Sequence, residues 1–231
     1  GILVDLQFLL FLIIGVWQTG LLPVYLKAFY WDDPTLGRMP TVFTIHNLAY
    51  QGVFGAATLG ALSLPESLFT EEALEWHGAI SYMKGGLFFS EIVTTVSPTY
   101  AAEIQTEEFG HGLEGVVRAR ADDLVGILNG VDTDEWDPRN DPHIAAPYDE
   151  SEHVGKARCK KAILEEFGLS TEPDLPLIGI ISRLVHQKGF DLVVEAREAL
   201  LARGLRMVVL GTGEPDVEEG LGEFARRDPQ R

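Results

Sequence analysis

The chain has 231 residues, 46% hydrophobic and 23% charged, with 18 Lys and Arg against 35 Asp and Glu and a net charge of −17. These values describe a soluble chain of one to two globular domains, and no Lys/Arg stripe is present to neutralise a nucleic-acid backbone. The single cysteine, Cys159, excludes an internal disulfide and a cysteine metal cluster; with no Asn-x-Ser/Thr sequon, a cytoplasmic location is expected.

The first apolar stretch, "FLLFLIIGV" (8–16), is open to three readings: a buried strand, a core helix, or a membrane or targeting segment. Only about 15 broadly apolar residues surround it, whereas a spanning helix needs roughly 20. No initiating Met or basic segment precedes it, so the chain reads as a fragment and no membrane partner is expected. From Trp17 onward the pattern alternates β and α. "LLPVYLKAFY" (21–30) is expected as a helix and "TVFTI" (41–45) as a strand ending at His46. "AISYMKGGLFFSE" (79–91) has helical spacing, and "IVTTV" (92–96) is a β-branched strand. Ser97-Pro98 then supplies an N-cap and a first-turn proline for a helix through "TYAAEI". "LVGIL" (124–128) is a further strand, closed by the turn signal Asn129-Gly130.

A carboxylate-rich stretch with three prolines (132–150) reads as a connector. Beyond it come a helix over 152–168 ending at Gly168, the strand "LIGIIS" (177–182), a helix over 190–204, the strand "MVVLG" (207–211) and an acidic helix from Asp216. Continuous apolar strands between amphipathic helices predict parallel sheets covered on both faces. Two α/β regions follow, 1–126 and 127–231, neither of them a complete doubly wound sheet.

In such sheets ligands sit beyond the carboxyl ends of the strands. His46, Asn129, Arg183 and the loop after Leu210 all fall there. In "ISRLVHQKG" (181–189), Arg183 and Lys188 flank a strand-to-helix corner. They suit a diphosphate, with a bidentate guanidinium, an ammonium point charge and helix amides. The competing reading is a surface ion pair with Glu195 or Glu198. Gly211 and Gly213 in "LGTGEP" would allow close approach to a nucleotide, although Gly-x-Gly alone is a weak signal. His46 is open to a structural role or a catalytic one. No His-Glu-x-x-His occurs, no metal is expected, and the acidic pairs, such as Glu71-Glu72 and Glu218-Glu219, read as solvated faces.

Five collinear segments carry a resemblance: "TVFTIHNLAYQGVF", "TTVSPTYAAEI", "GLEGVVRARADDLVGILNGVDTDEWDP", "SRLVHQKGFDL" and "VVLGTGEPDVEE". Together they resemble bacterial glycogen synthases, relatives of the plant starch synthases, from Trp17 to about Arg227. The resemblance implies a GT-B fold, two Rossmann-like domains facing across a cleft, both incomplete here. It implies a retaining glucosyltransferase that moves glucose from ADP-glucose to the non-reducing end of an α-1,4-glucan. The partners are then a nucleotide sugar and an α-glucan acceptor, with no cofactor. By the same resemblance Arg183 and Lys188 hold the donor diphosphate, His46 lies against the transferred glucose, and Asn129 lies near the donor.

Departures accompany it. The family's Lys-Thr-Gly-Gly-Leu loop is absent, Gly15 and Val16 stand where His-Asp is usual, and the Glu-Pro-Cys-Gly-Leu region would lie beyond Arg231. Residues 1–16 match no family pattern. A chain of this extent is therefore expected to be inactive alone. The rival readings are a non-catalytic product that binds a nucleotide weakly or not at all, and a sucrose or trehalose-phosphate synthase, against which "TIHNLAYQG" argues.

Overall fold

The computed structural model describes residues 12–14 and 17–231. In chain order the elements are β1 (Leu12–Ile14), α1 (Leu21–Phe29), β2 (Thr41–Ile45), β3 (Val53–Gly55), α2 (Thr58–Ala61), β4 (Glu75–Trp76), β5 (Ala79–Ser81), α3 (Tyr82–Phe89) and β6 (Ile92–Thr95). There follow α4 (Pro98–Glu103), α5 (Glu114–Ala119), β7 (Leu124–Gly126), α6 (Val154–Glu166), β8 (Leu177–Ile181), α7 (Phe190–Glu195), α8 (Arg197–Ala202), β9 (Arg206–Leu210) and α9 (Pro215–Arg227). The chain divides into two compact units, one up to Gly130 and one from Val131 onward. Of the early apolar stretch, 12–14 is a strand, and the rest lies outside the described residues. No helix among the described residues is long and apolar enough to cross a membrane.

The first unit is built on a parallel sheet of order β1-β2-β6-β7. Along β2, Thr41, Phe43 and Ile45 are fully buried while Val42 and Thr44 are half-buried, as the pleat dictates. Cross-strand polar contacts fix the register: Thr95 Oγ1 donates to Ile45 O at 2.8 Å, and the hydroxyls of Thr44 and Thr94 lie 2.8 Å apart. The core joins Phe43, Ile45, Leu48 and Val93 to Met83 and Leu87 of α3 and to Ile104, Leu113 and Val117. The α3 helix ends under the Arg120 guanidinium. It donates to the carbonyls of Leu87 and Phe88, to Ser90 O at 2.8 Å and to Glu91 O at 3.1 Å, satisfying acceptors that a helix end leaves open.

Ser97 caps α4 as expected, accepting from Tyr100 N at 2.9 Å, with Pro98 in the first turn. Three expectations are corrected. Residues 79–81 are a strand, because β5 pairs antiparallel with β3 and β4 in a small separate sheet before α3 begins. The turn is His77-Gly78, both with positive φ, the two-residue hairpin geometry. The strand expected over 124–128 ends at Gly126, and Leu128 is 75% exposed. The helix expected over 190–204 is two, broken at Ala196, where Arg197 Nη1 turns back to donate to Val194 O at 3.1 Å.

The second unit pairs β8 with β9 in parallel from Leu177↔Arg206 to Ile181↔Leu210. Its core is Leu184, Phe190 and Val217, with Ile180, Val209 and Leu221 against them.

Gly86 on α3 lets that helix lie directly on β2: a Cβ there would meet the buried Phe43 ring at 2.6 Å. Gly86→Ala is expected to cost about 1–3 kcal/mol of stability through overpacking. Gly60→Ala, where a Cβ meets nothing within 4 Å, should be neutral or slightly stabilising. Urea midpoints of the two variants check the contrast.

Candidate functional site

In the first unit, β2 delivers His46 at its carboxyl end. Ile45 is buried and His46 is exposed, since the chain leaves the sheet there. The segment that follows is tied down residue by residue. Asn47 Oδ1 accepts from Ala49 N at 3.0 Å, an Asx turn, and the buried Leu48 donates its N–H to Tyr100 Oη at 3.0 Å. Gln51 and Gly52 then offer their carbonyls to the start of α3, Gln51 O accepting from Met83 N and Gly52 O from Tyr82 N, both at 3.1 Å. The string "HNLAYQG" thus anchors a fixed loop. Asn129 lies three residues past β7, exposed, in the same unit; β6 separates β2 from β7 in the sheet.

In the second unit the structure brings Arg183, Lys188, Gly211 and Gly213 to one sheet end. The β8–β9 ladder continues past both strands. Ser182 N donates to Leu210 O at 3.1 Å, Leu184 N to Thr212 O at 2.9 Å, and Glu214 N to Leu184 O at 2.8 Å, with Leu184 and Gly213 bridged in parallel. Two glycines permit this approach. A Cβ on Gly211 would lie 1.9 Å from Ser182 O, and one on Gly213 2.1 Å from Leu184 O. What requires glycine here is the neighbouring loop's backbone, a cause that the reading of these positions as room for a nucleotide did not include. Gly213 N also donates to Glu218 Oε1 at 2.6 Å, so that carboxylate has a structural partner.

Arg183 and Lys188 are both exposed, Arg183 ahead of a 3-10 turn at His186–Lys188 and Lys188 as its last residue, before Gly189 with φ 74°. A left-handed glycine turns the chain into α7 at that point. Of the carboxylates offered as competing partners, Glu198 is engaged by Arg227 and by Arg197 (3.9 Å).

One group was not anticipated. His186, Glu214 and Asp216 bring an imidazole nitrogen and two carboxylate oxygens within 4.8 Å of one another. His186 Nε2 donates to Asp216 Oδ2 at 2.9 Å and lies 3.4 Å from Glu214 Oε2, which also accepts from His186 N at 3.0 Å. The hydrogen bond to Asp216 raises the imidazole pKa above its ordinary value, and the charges of Glu214, Asp216 and Asp191 act in the same direction. Nothing in the linear sequence pairs positions 28 and 30 residues apart; the strand register does.

Two α/β units whose parallel strands end in such loops define the architecture of the GT-B glycosyltransferases. Residues 16–119 match the family described as the starch synthase catalytic domain. The chain is 51% identical over 215 residues to the glycogen synthase of Anaeromyxobacter sp. (strain Fw109-5), a match covering 93% of this chain and 45% of that protein. It is 50% identical over 216 residues to the glycogen synthase of Pseudothermotoga lettingae, covering 93% and 44%. The catalytic domain of Arabidopsis thaliana starch synthase IV, solved bound to ADP and acarbose, superposes with a TM-score of 0.88 at 33% identity, covering 96% of this chain and 46% of that one. The chain is a homologue of the glycogen and starch synthases, and it spans a little under half the length of these relatives.

Gly213→Ala is expected to push the two loops apart, because its Cβ meets a backbone carbonyl and not a side chain that can swing away. Amide exchange at Leu184 and Glu214 should then accelerate at least about tenfold, the equivalent of roughly 1.4 kcal/mol of lost protection. Unchanged exchange would show that the loops yield without opening.

Proposed function

We propose that this chain carries donor-site residues of a retaining glucosyltransferase that moves glucose from ADP-glucose to the non-reducing end of an α-1,4-glucan. The observation that carries the reading is the Arg183–Lys188 loop beside the glycine loop after β9, in a chain homologous to glycogen synthases over 93% of its length. Arg183 binds the diphosphate oxygens bidentately and Lys188 adds a point charge. As the glucosyl–phosphate bond breaks, negative charge grows on the departing ADP. Cations already in place stabilise that charge more than they stabilise the ground state. Gly211 and Gly213 bear on the same donor, His46 orients the glucosyl unit, and Asn129 contacts the donor. The ADP and acarbose held by the Arabidopsis starch synthase support a nucleoside diphosphate and an α-glucan as ligands.

Taken by itself, the 231-residue chain is proposed to make no glucan. Among the described residues its second unit pairs only two strands, and Ile181 and Leu192 are 83% and 64% exposed. Apolar surface of that kind favours association over a rigid site. The second reading, a non-catalytic chain with weak nucleotide binding, draws on the same exposure.

Calorimetric titration with ADP is expected to show binding by the wild-type chain, weakened at least about tenfold, or 1.4 kcal/mol, by Arg183→Ala and by Lys188→Ala. His46→Ala should leave ADP affinity near wild type. Transfer of radiolabelled glucose from ADP-glucose to glycogen by the purified chain should be absent. Wild-type ADP affinity in both cation variants removes their assignment, and robust transfer by a monomer removes the claim of inactivity.

A further inference from the structure

The phosphate-binding pair has a neighbour with a job of its own. His186 sits between Arg183 and Lys188 in the loop after β8, yet its ring and its backbone N–H both engage the other loop, through Asp216 and Glu214. Lys188 N donates to Val185 O at 2.9 Å and Gly189 N to His186 O at 2.8 Å, so the turn that carries Lys188 pivots on His186 itself. The bridge between Leu184 and Gly213 holds the two loops at one end, and the His186 contacts hold them at the other.

We propose that His186 is a positioning residue: by clasping Asp216 and Glu214 it fixes the loop bearing Arg183 and Lys188 against the loop after β9, and so sets the spacing at which the two cations meet a diphosphate. This inference rests on the donor-site reading above. Glycine-lined backbone contacts alone hold the chain at Leu184, ahead of the turn that carries Lys188, whereas the clasp acts at His186, within that turn. The clasp also keeps two carboxylates occupied. Unpaired, Glu214 and Asp216 would present negative charge beside an anionic ligand; paired with an imidazolium, that charge is partly neutralised.

The charged groups around His186 are Glu214 and Asp216 at the start of α9, Asp191 on α7, Glu218 one turn further along α9, and Arg183 and Lys188 in its own loop. Hydrogen bonding to Asp216 holds the imidazole pKa above its ordinary value. The ion-pair contribution is therefore full below that ordinary value and is lost as the pH rises through the raised one. ADP gains charge over the lower part of this range. By itself that would strengthen binding, the opposite sign.

The test uses the 231-residue chain between about pH 6 and pH 9, bracketing the imidazole titration. Amide exchange at Leu184, Lys188 and Glu214, corrected for its intrinsic pH dependence, is measured alongside ADP titrations for the wild type, His186→Gln and Asp216→Asn. In the wild type, loop protection and ADP affinity should both fall about threefold to fivefold across the range, the size expected of exposed ion pairs. In His186→Gln, whose side chain keeps an N–H donor and does not titrate, loop protection should be flat and close to the wild-type high-pH value, and ADP affinity should only rise with pH as ADP itself ionises. Asp216→Asn, which leaves Glu214 Oε2 3.4 Å from the ring, should make the protection profile shallower than in the wild type. A His186→Gln profile that still falls with pH like the wild type overturns the proposal. If the loop protection behaves as described while the wild-type chain binds no ADP, the donor-site reading fails and the positioning role falls with it, leaving a loop tie only.

Discussion

Parallel pairing of β2 with β6 and of β8 with β9 forces the chain between paired strands to cross back over a sheet face, so within each unit the carboxyl ends of these strands lie at one end of its own sheet. Most of what is chemically distinctive in this chain follows from that constraint. His46 and Asn129 are placed by it in the first unit, and Arg183, Lys188 and the two loop glycines in the second. The second unit adds a refinement. Its ladder does not stop where the strands do but runs on through Ser182, Leu184, Thr212 and Glu214. A side chain at Gly211 or Gly213 would collide with that extension, so the loop's sequence is dictated by its neighbour's backbone.

Charge gives the arrangement its direction. With a net charge of −17, the surface repels polyanions in general. A small anion is attracted only where cations are concentrated and nearby carboxylates are occupied. Four carboxylates around the β8 loop are engaged: Asp216 and Glu214 by His186, Glu218 by the Gly213 amide and Glu198 by Arg227. Local hydrogen bonding thus offsets part of the negative charge beside Arg183 and Lys188, which are both exposed in that loop.

In the first unit the motif around His46 shows how a short string becomes a rigid loop. The histidine is exposed, while Asn47, Leu48, Gln51 and Gly52 each close a hydrogen bond to a turn, to Tyr100 or to the first turn of α3. The helix in turn is seated on Phe43 by Gly86 and held at its other end by Arg120. Position at the site is therefore bought with contacts well away from it.

Much of this was legible in the linear sequence, because it depends on local pattern. The alternation of apolar strands and amphipathic helices gave the α/β class. Ser97-Pro98 marked a helix start, and His46, Arg183 and Lys188 were visible as polar residues following apolar runs. The small sheet of β3, β4 and β5 was not legible: its strands are two or three residues long, too short for any period to register, and they exist only because residues 53–55 and 75–81 meet in space. Nor was the break at Ala196, where Arg197 takes a carbonyl that the apolar spacing assigns to a continuous helix. The His186–Asp216 clasp was hidden for the most general reason. Pairing residues 30 apart requires the register of two strands, and that register is set by packing across the whole sheet, not by the residues at its end.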